Sequence, residues 1–150
     1  NAVSTWEGTS GDVNPRGFLP LKMAVLQHEG ANIKDSELIQ PTPLYYKHTA
    51  IRKWLYQHKI YDFARGAYFK LEPNMMVARH IDDGKYYLTK DRYHLSLRGR
   101  YLYEVDGEEH IIEPGTFFWF DNKKMHQSTV IGNEERITFV FDVPHSPNNP

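Results

Sequence analysis

Three side chains in this sequence could hold a divalent metal without help from sulfur: His80 and Asp82, two residues apart, and His126, far downstream. In an extended strand, residues two apart share a face, so His80 and Asp82 can offer one nitrogen and one oxygen to a single ion. Two imidazoles and one carboxylate leave three octahedral positions open, the arrangement expected of non-haem iron oxygenases. The chain has 8 His and no Cys, so imidazole and carboxylate must do any transition-metal binding, and thiolate chemistry is excluded. His126 follows the aromatic run Phe117-Phe118-Trp119-Phe120 and a turn from Asp121 to Lys124, which puts it at the start of a strand. Asp83 would replace Asp82 as a ligand only if the strand were bulged.

Other groups suit an anion beside such a metal. Arg136 heads the apolar strand Ile137 to Phe141, and the turn at Gly132-Asn133 predicts a hairpin joining the strands of His126 and Arg136. A three- or five-residue loop would then set His126, Ser128, Arg136 and Thr138 on one face, where a planar guanidinium suits a carboxylate. In Arg92-Tyr93-His94-Leu95-Ser96-Leu97, alternation places Arg92, His94 and Ser96 opposite the apolar Tyr93, Leu95 and Leu97. If two sheets close around a pocket, Arg92 and His94 form a second anion-binding group facing Arg136. The remaining histidines, His28, His48, His58, His110 and His145, show no partner pattern and read as surface or internally satisfied groups.

The elements that must position these residues are mostly strands. Period-two patterns run over Tyr61 to Leu71, Met76 to Asp82, Arg92 to Leu97, Arg100 to Asp106, Glu108 to Glu113, Thr116 to Asp121, His126 to Val130 and Arg136 to Val143. Asp106-Gly107 is the sharpest hairpin signal. Upstream, residues 1–20 read as irregular, Lys22 to Gln27 as a short strand, and Tyr45 to about His58 as one amphipathic helix entered at Pro43. Short strands at regular spacing, with no helices between the last several, predict a mainly β jelly roll with one N-terminal helix packed outside.

At 150 residues the chain reads as one domain: an N-terminal extension and helix over 1–60, a β-core over 61–143 and a tail over 144–150. Its 18 basic and 19 acidic residues give a net charge of -1, so nothing in its overall charge favours nucleic acid or a membrane surface. No apolar run approaches the length of a membrane span, and the expectation is a soluble cytoplasmic protein. There is no phosphate-binding glycine loop and no Gly-x-Ser-x-Gly element, which removes the usual support for nucleotide-dependent and serine-hydrolase chemistry.

From Arg65-Gly66 to Pro147 the order of residues resembles the aspartyl/asparaginyl β-hydroxylase family of 2-oxoglutarate- and Fe(II)-dependent oxygenases. The residues carrying it are His80 after Leu71-Glu72-Pro73, Arg92-x-His94-Leu95-x-Leu97, Gly115 ahead of Phe120-Asp121-Asn122, His126, Arg136 and Phe141-Asp142-Val143. The resemblance implies a double-stranded β-helix of cupin-like form, with Fe(II) bound by His80 and His126 and chelated by 2-oxoglutarate as cosubstrate. The distal carboxylate of 2-oxoglutarate would pair with Arg136, and Arg92 and His94 would assist near its chelating end or the substrate. The best-known mammalian members lack the acidic ligand, whereas this chain carries Asp82, so a complete His80, Asp82, His126 triad is expected. The activity implied is hydroxylation of an amino acid, peptide or protein side chain with dioxygen, giving succinate and CO2, with no separate general acid or base. The alternatives are a cupin-like metal enzyme that does not use 2-oxoglutarate and a non-enzymatic ligand-binding jelly roll. Arg136 separates them, because only an acid held opposite the metal calls for a buried arginine there.

Overall fold

The computed structural model describes residues 7–9 and 17–146. In chain order the elements are β1 (Glu7–Thr9), β2 (Gly17–Ala24), a 3-10 turn (Ile33–Asp35), β3 (Ile39–Pro41), α1 (Pro43–Lys47), α2 (Thr49–Gln57), β4 (Gly66–Leu71) and β5 (Met76–His80). Then come α3 (Lys85–Leu88), β6 (Lys90–Arg98), β7 (Arg100–Val105), β8 (Glu108–Ile112), β9 (Phe117–Trp119), β10 (His126–Ile131) and β11 (Arg136–Pro144). A seven-stranded sheet runs β1-β2-β4-β11-β6-β9, with β3 beside β2, and a four-stranded sheet runs β5-β10-β7-β8. All pairings are antiparallel, as expected for a jelly roll.

Alternation decides what each face of the larger sheet meets. On β11, Ile137, Phe139 and Phe141 face outward, and on β6 so do Tyr93 and Leu95. With Leu19, Leu21 and Tyr68, all of these but Ile137 form an apolar bed on which Ile51 and Leu55 of α2 are buried. The single helix predicted over 45–58 is instead two, broken at His48 (φ -89, ψ 71), whose buried ring hydrogen-bonds the Tyr68 hydroxyl at 2.9 Å. Pro43 does open α1, where a missing N–H costs nothing.

Two turns carry the chain between partners. Asp106 and Gly107, with φ of 52° and 83°, close a two-residue hairpin between β7 and β8, as their sequence predicts. Gly99 alone links β6 to β7 and so moves the chain from one sheet to the other. Its φ is +78°, and a Cβ there would collide with the Glu135 carbonyl oxygen, so only glycine fits.

Two upstream expectations need correction. The strand predicted to begin at Lys22 begins at Gly17, and Glu7–Thr9 pairs with it, so these parts of 1–20 are not irregular. The rest of 1–16, and 147–150 of the tail, lie outside the described residues. No helix among the described residues is long and apolar enough to cross a membrane.

Candidate metal centre

His126 begins β10, directly opposite His80 at the end of β5. The register between these strands slips once: Ser128 faces Val77 while His126 faces His80, so β5 carries one extra residue in between. Without that bulge, Arg79 would stand opposite His126. With it, Arg79 turns out to Glu104, 2.6 Å away, and His80 turns inward. The strand predicted over Met76 to Asp82 ends at His80, so alternation does not place Asp82. Instead the Asp82 backbone N–H donates to the Asn122 carbonyl at 2.9 Å, and the buried Asn122 side chain donates to Asp82 Oδ2 at 2.9 Å. The bulge does not favour Asp83, which is exposed.

The three donor atoms of His80, Asp82 and His126 all lie within 4.8 Å of one another. His80 Nε2 is 3.5 Å from Asp82 Oδ1, and His126 Nε2 is 4.0 Å from Oδ2. Each imidazole uses Nδ1 on a carbonyl two residues back, Ala78 at 2.7 Å and Lys124 at 2.8 Å. A carbonyl only accepts, so Nδ1 carries the proton and a neutral ring presents a bare lone pair at Nε2. Two such lone pairs and a carboxylate converging on one point repel each other unless a cation lies between them, and this donor set therefore fits a metal ion.

The surrounding charges reinforce that state. Burial pushes the Asp82 carboxyl up, but Arg92 and the Asn122 amide, joined by the His80 and His126 rings when these are protonated, outweigh it and hold the group well below the usual carboxylate range. Burial lowers the His126 pKa more than its Lys124 carbonyl bond and Asp82 raise it, so the ring stays neutral as a ligand must.

Arg136 is buried in the same cavity, with Nε donating to Thr138 Oγ1 at 2.9 Å and Nη1 to Ser128 Oγ at 2.8 Å. Its guanidinium lies 4.0 Å from the Tyr101 ring centroid, and no carboxylate pairs with it among the described residues. The grouping of His126, Ser128, Arg136 and Thr138 thus matches the sequence reading, but the predicted hairpin does not exist. β10 and β11 lie in different sheets and face each other, because β5 and β7 take both edges of β10, and β4 and β6 both edges of β11.

Arg92 and His94 reach the cavity from β6. Arg92 is largely committed: Nε and Nη2 grip the buried Asp142 at 2.7 and 2.9 Å, leaving Nη1 at 3.8 Å from Asp82. Asp142 also accepts from the Tyr86 hydroxyl at 2.8 Å. His94 is stacked against Phe118 and Phe120, with centroids at 4.9 and 5.1 Å, and neither ring nitrogen has a hydrogen-bond partner. Burial, then Arg136 and Arg92, drive its pKa well below the ordinary value, so it is neutral. Sequence reasoning assigned no part to Asn122 or Asp142. Asp142 was legible by parity, since it shares the inward face of β11 with Arg136 and Thr138. Asn122 lies in a turn and carried no such signal.

The sequence profile of the family described as aspartyl/asparaginyl beta-hydroxylase matches residues 23–146. No curated protein matches the chain. Among solved structures, the plu4264 protein of Photorhabdus luminescens aligns at 11% identity over 93% of this chain and 81% of that one, with a TM-score of 0.53. The cupin domain of Schizosaccharomyces pombe Cnp3 aligns at 8% identity over 87% of this chain and 65% of that one, with a TM-score of 0.51. At these identities the likeness shows the fold alone, a cupin-type jelly roll.

Proposed function

The chain belongs to the aspartyl/asparaginyl β-hydroxylase family, and on that premise we propose that it is an Fe(II)- and 2-oxoglutarate-dependent hydroxylase of an amino acid, peptide or protein side chain. His80, Asp82 and His126 would hold the iron, and Arg136 the distal carboxylate of 2-oxoglutarate. Bound iron and 2-oxoglutarate would supply the oxidising power: one oxygen of O2 enters a substrate C–H to give C–OH, and the other enters 2-oxoglutarate, which leaves as succinate and CO2.

The observation that carries this reading is the state of Arg136. A buried guanidinium with two hydroxyl partners and no carboxylate is an incomplete ion pair, and a carboxylate-bearing cosubstrate completes it. Ser128 and Thr138 fix the plane of the fork, so little rotamer freedom is lost on binding. Arg92, anchored by Asp142, helps hold Asp82 ionised, as a metal ligand must be. Neutral His94, with both nitrogens unpartnered, can orient the chelating end of 2-oxoglutarate or the substrate.

The test is anaerobic addition of Fe(II) and 2-oxoglutarate. The weak visible charge-transfer band of the chelate should appear, and Arg136→Ala should abolish it while iron remains bound. A protein that binds iron and never shows the band is not a 2-oxoglutarate oxygenase. Succinate release above the uncoupled background, across a panel of free amino acids and peptides, then identifies the substrate.

A further inference from the structure

A second cavity, of about 310 Å³, adjoins the metal cavity and shares Phe69, Arg92 and Val140 with it. Phe18 packs on Phe69 within it at a centroid distance of 5.2 Å, and Tyr87 also lines it. Among the described residues no Asp or Glu lines this space, whereas Lys22, Lys34, Arg65 and Arg92 all do. Two of these cations are already neutralised, Lys22 by Asp62 and Arg92 by Asp142, each at 2.7 Å.

The other two are not. Lys34 has no ion pair among the described residues. Arg65 gives Nη2 to the carbonyl oxygens of Ile33, Lys34 and Ser36 at 3.2, 2.9 and 3.0 Å, and its guanidinium sits 3.7 Å from the Tyr86 ring centroid. These contacts satisfy Nη2 but leave Nε buried without a partner and the charge without an ion pair among the described residues, and the bond to the Lys34 carbonyl ties both residues to one wall. The acid next in sequence, Asp35, instead accepts from the Lys85 backbone N–H at 3.0 Å. Like charges held together beside a partly enclosed space attract an anion between them.

We propose that this second cavity binds a carboxylate of the substrate that is remote from the reacting carbon, with Lys34 and Arg65 as its partners. That the ligand is a substrate rests on the hydroxylase reading above; that the cavity takes a carboxylate stands on its own lining. The metal cavity offers only about 60 Å³. On the hydroxylase reading that space is taken by 2-oxoglutarate between the metal ligands and Arg136, so most of any substrate must lie outside it. Phe18, Phe69 and Val140 suit an apolar middle section between the anchored carboxylate and the carbon delivered past Arg92.

Titration calorimetry on the metal-free protein tests this with three probes: L-glutamate, N-acetyl-L-alanyl-L-alanine and the uncharged N-acetyl-L-alaninamide. At least one acid should bind and the amide should not, with affinity falling as salt is raised. The tighter acid shows whether the carboxylate comes from a free amino acid or a peptide end. Lys34→Glu, a change at an exposed loop position, should weaken that binding at least tenfold, and Arg136→Ala should leave it within twofold. Failure of both acids to bind, equal binding of the amide, or indifference to Lys34→Glu would overturn the proposal. The charge-transfer band keeps the two readings apart. Lys34-dependent binding without a band refutes the hydroxylase and keeps the anion site; a band without such binding does the reverse.

Discussion

The two faces of the larger sheet are built from the same strands and do opposite work. Along β11, Phe139 and Phe141 meet the helices, while Arg136, Thr138, Val140 and Asp142 meet the cavity. Along β6, Tyr93 and Leu95 join the apolar bed, while Arg92 and His94 line the metal cavity. The apolar bed anchors the strands from outside, so their inner face need not be apolar to hold them in place. The inner groups are then positioned by bonds to one another, such as Arg92 to Asp142 and Arg136 to Thr138. If the faces divide this way, truncation outside should unfold the protein, and substitution inside should disable it at little loss of stability.

The largest effect is expected for Phe139→Ala. Phe139 is 0% exposed and lies between Phe63, Tyr68 and Phe141. Its truncation should cost about 3–5 kcal/mol, a large part of the roughly 5–15 kcal/mol that holds a typical domain. The urea midpoint measures this, and a loss under about 1 kcal/mol would mean that the bed under the helices is not the anchor. A smaller loss, about 1–3 kcal/mol, is expected for Thr138→Val, which leaves the buried Arg136 Nε without an acceptor. Thr138→Ser should recover most of it, because the hydroxyl rather than the methyl holds the guanidinium.

Which features were legible in the sequence follows the same division. Strict alternation in Arg136-Ile137-Thr138-Phe139-Val140-Phe141 gave both faces of β11, and Arg92-x-His94-x-Ser96 gave the inner face of β6. The partners of β10 and β11 were not legible, because a turn signal says that the chain reverses and not whether it stays in the same sheet. Nor were the bulge before His80 and the end of β5 at that residue, so the period of two does not make His80 and Asp82 neighbours on one strand face. His80 and Asp82 still converge, by a bulge and an Asn122 clamp rather than by alternation. The break at His48 depends on a tertiary bond to Tyr68, which no local pattern encodes.

Acid acts on the inner face through two buried histidines. His94 and His126 have folded-state pKa values lowered mainly by burial, so below an unfolded value of about 6.5 the unfolded chain takes up protons first. Their contribution to stability is therefore complete above about pH 6.5 and is lost as pH falls from there toward the folded values. His94→Phe keeps a ring against Phe118 and Phe120 and removes one of these groups. Its urea midpoint should fall less than the wild type's between pH 7.5 and pH 5; an unchanged slope would show that His94 is not buried neutral.

The smallest stability change, and the sharpest division of the faces, is expected for Arg136→Met. Methionine keeps much of the volume against Tyr101 and removes a buried charge that has no carboxylate partner. Stability should stay within about 1 kcal/mol of the wild type or rise, because the desolvation penalty of the guanidinium disappears along with its two hydroxyl bonds. Iron affinity should hold within a few-fold, since His80, Asp82 and His126 are untouched, while the 2-oxoglutarate band disappears. A loss of several kcal/mol instead would make Arg136 a structural strut of the inner face. The carboxylate it was argued to await would then have no need to exist.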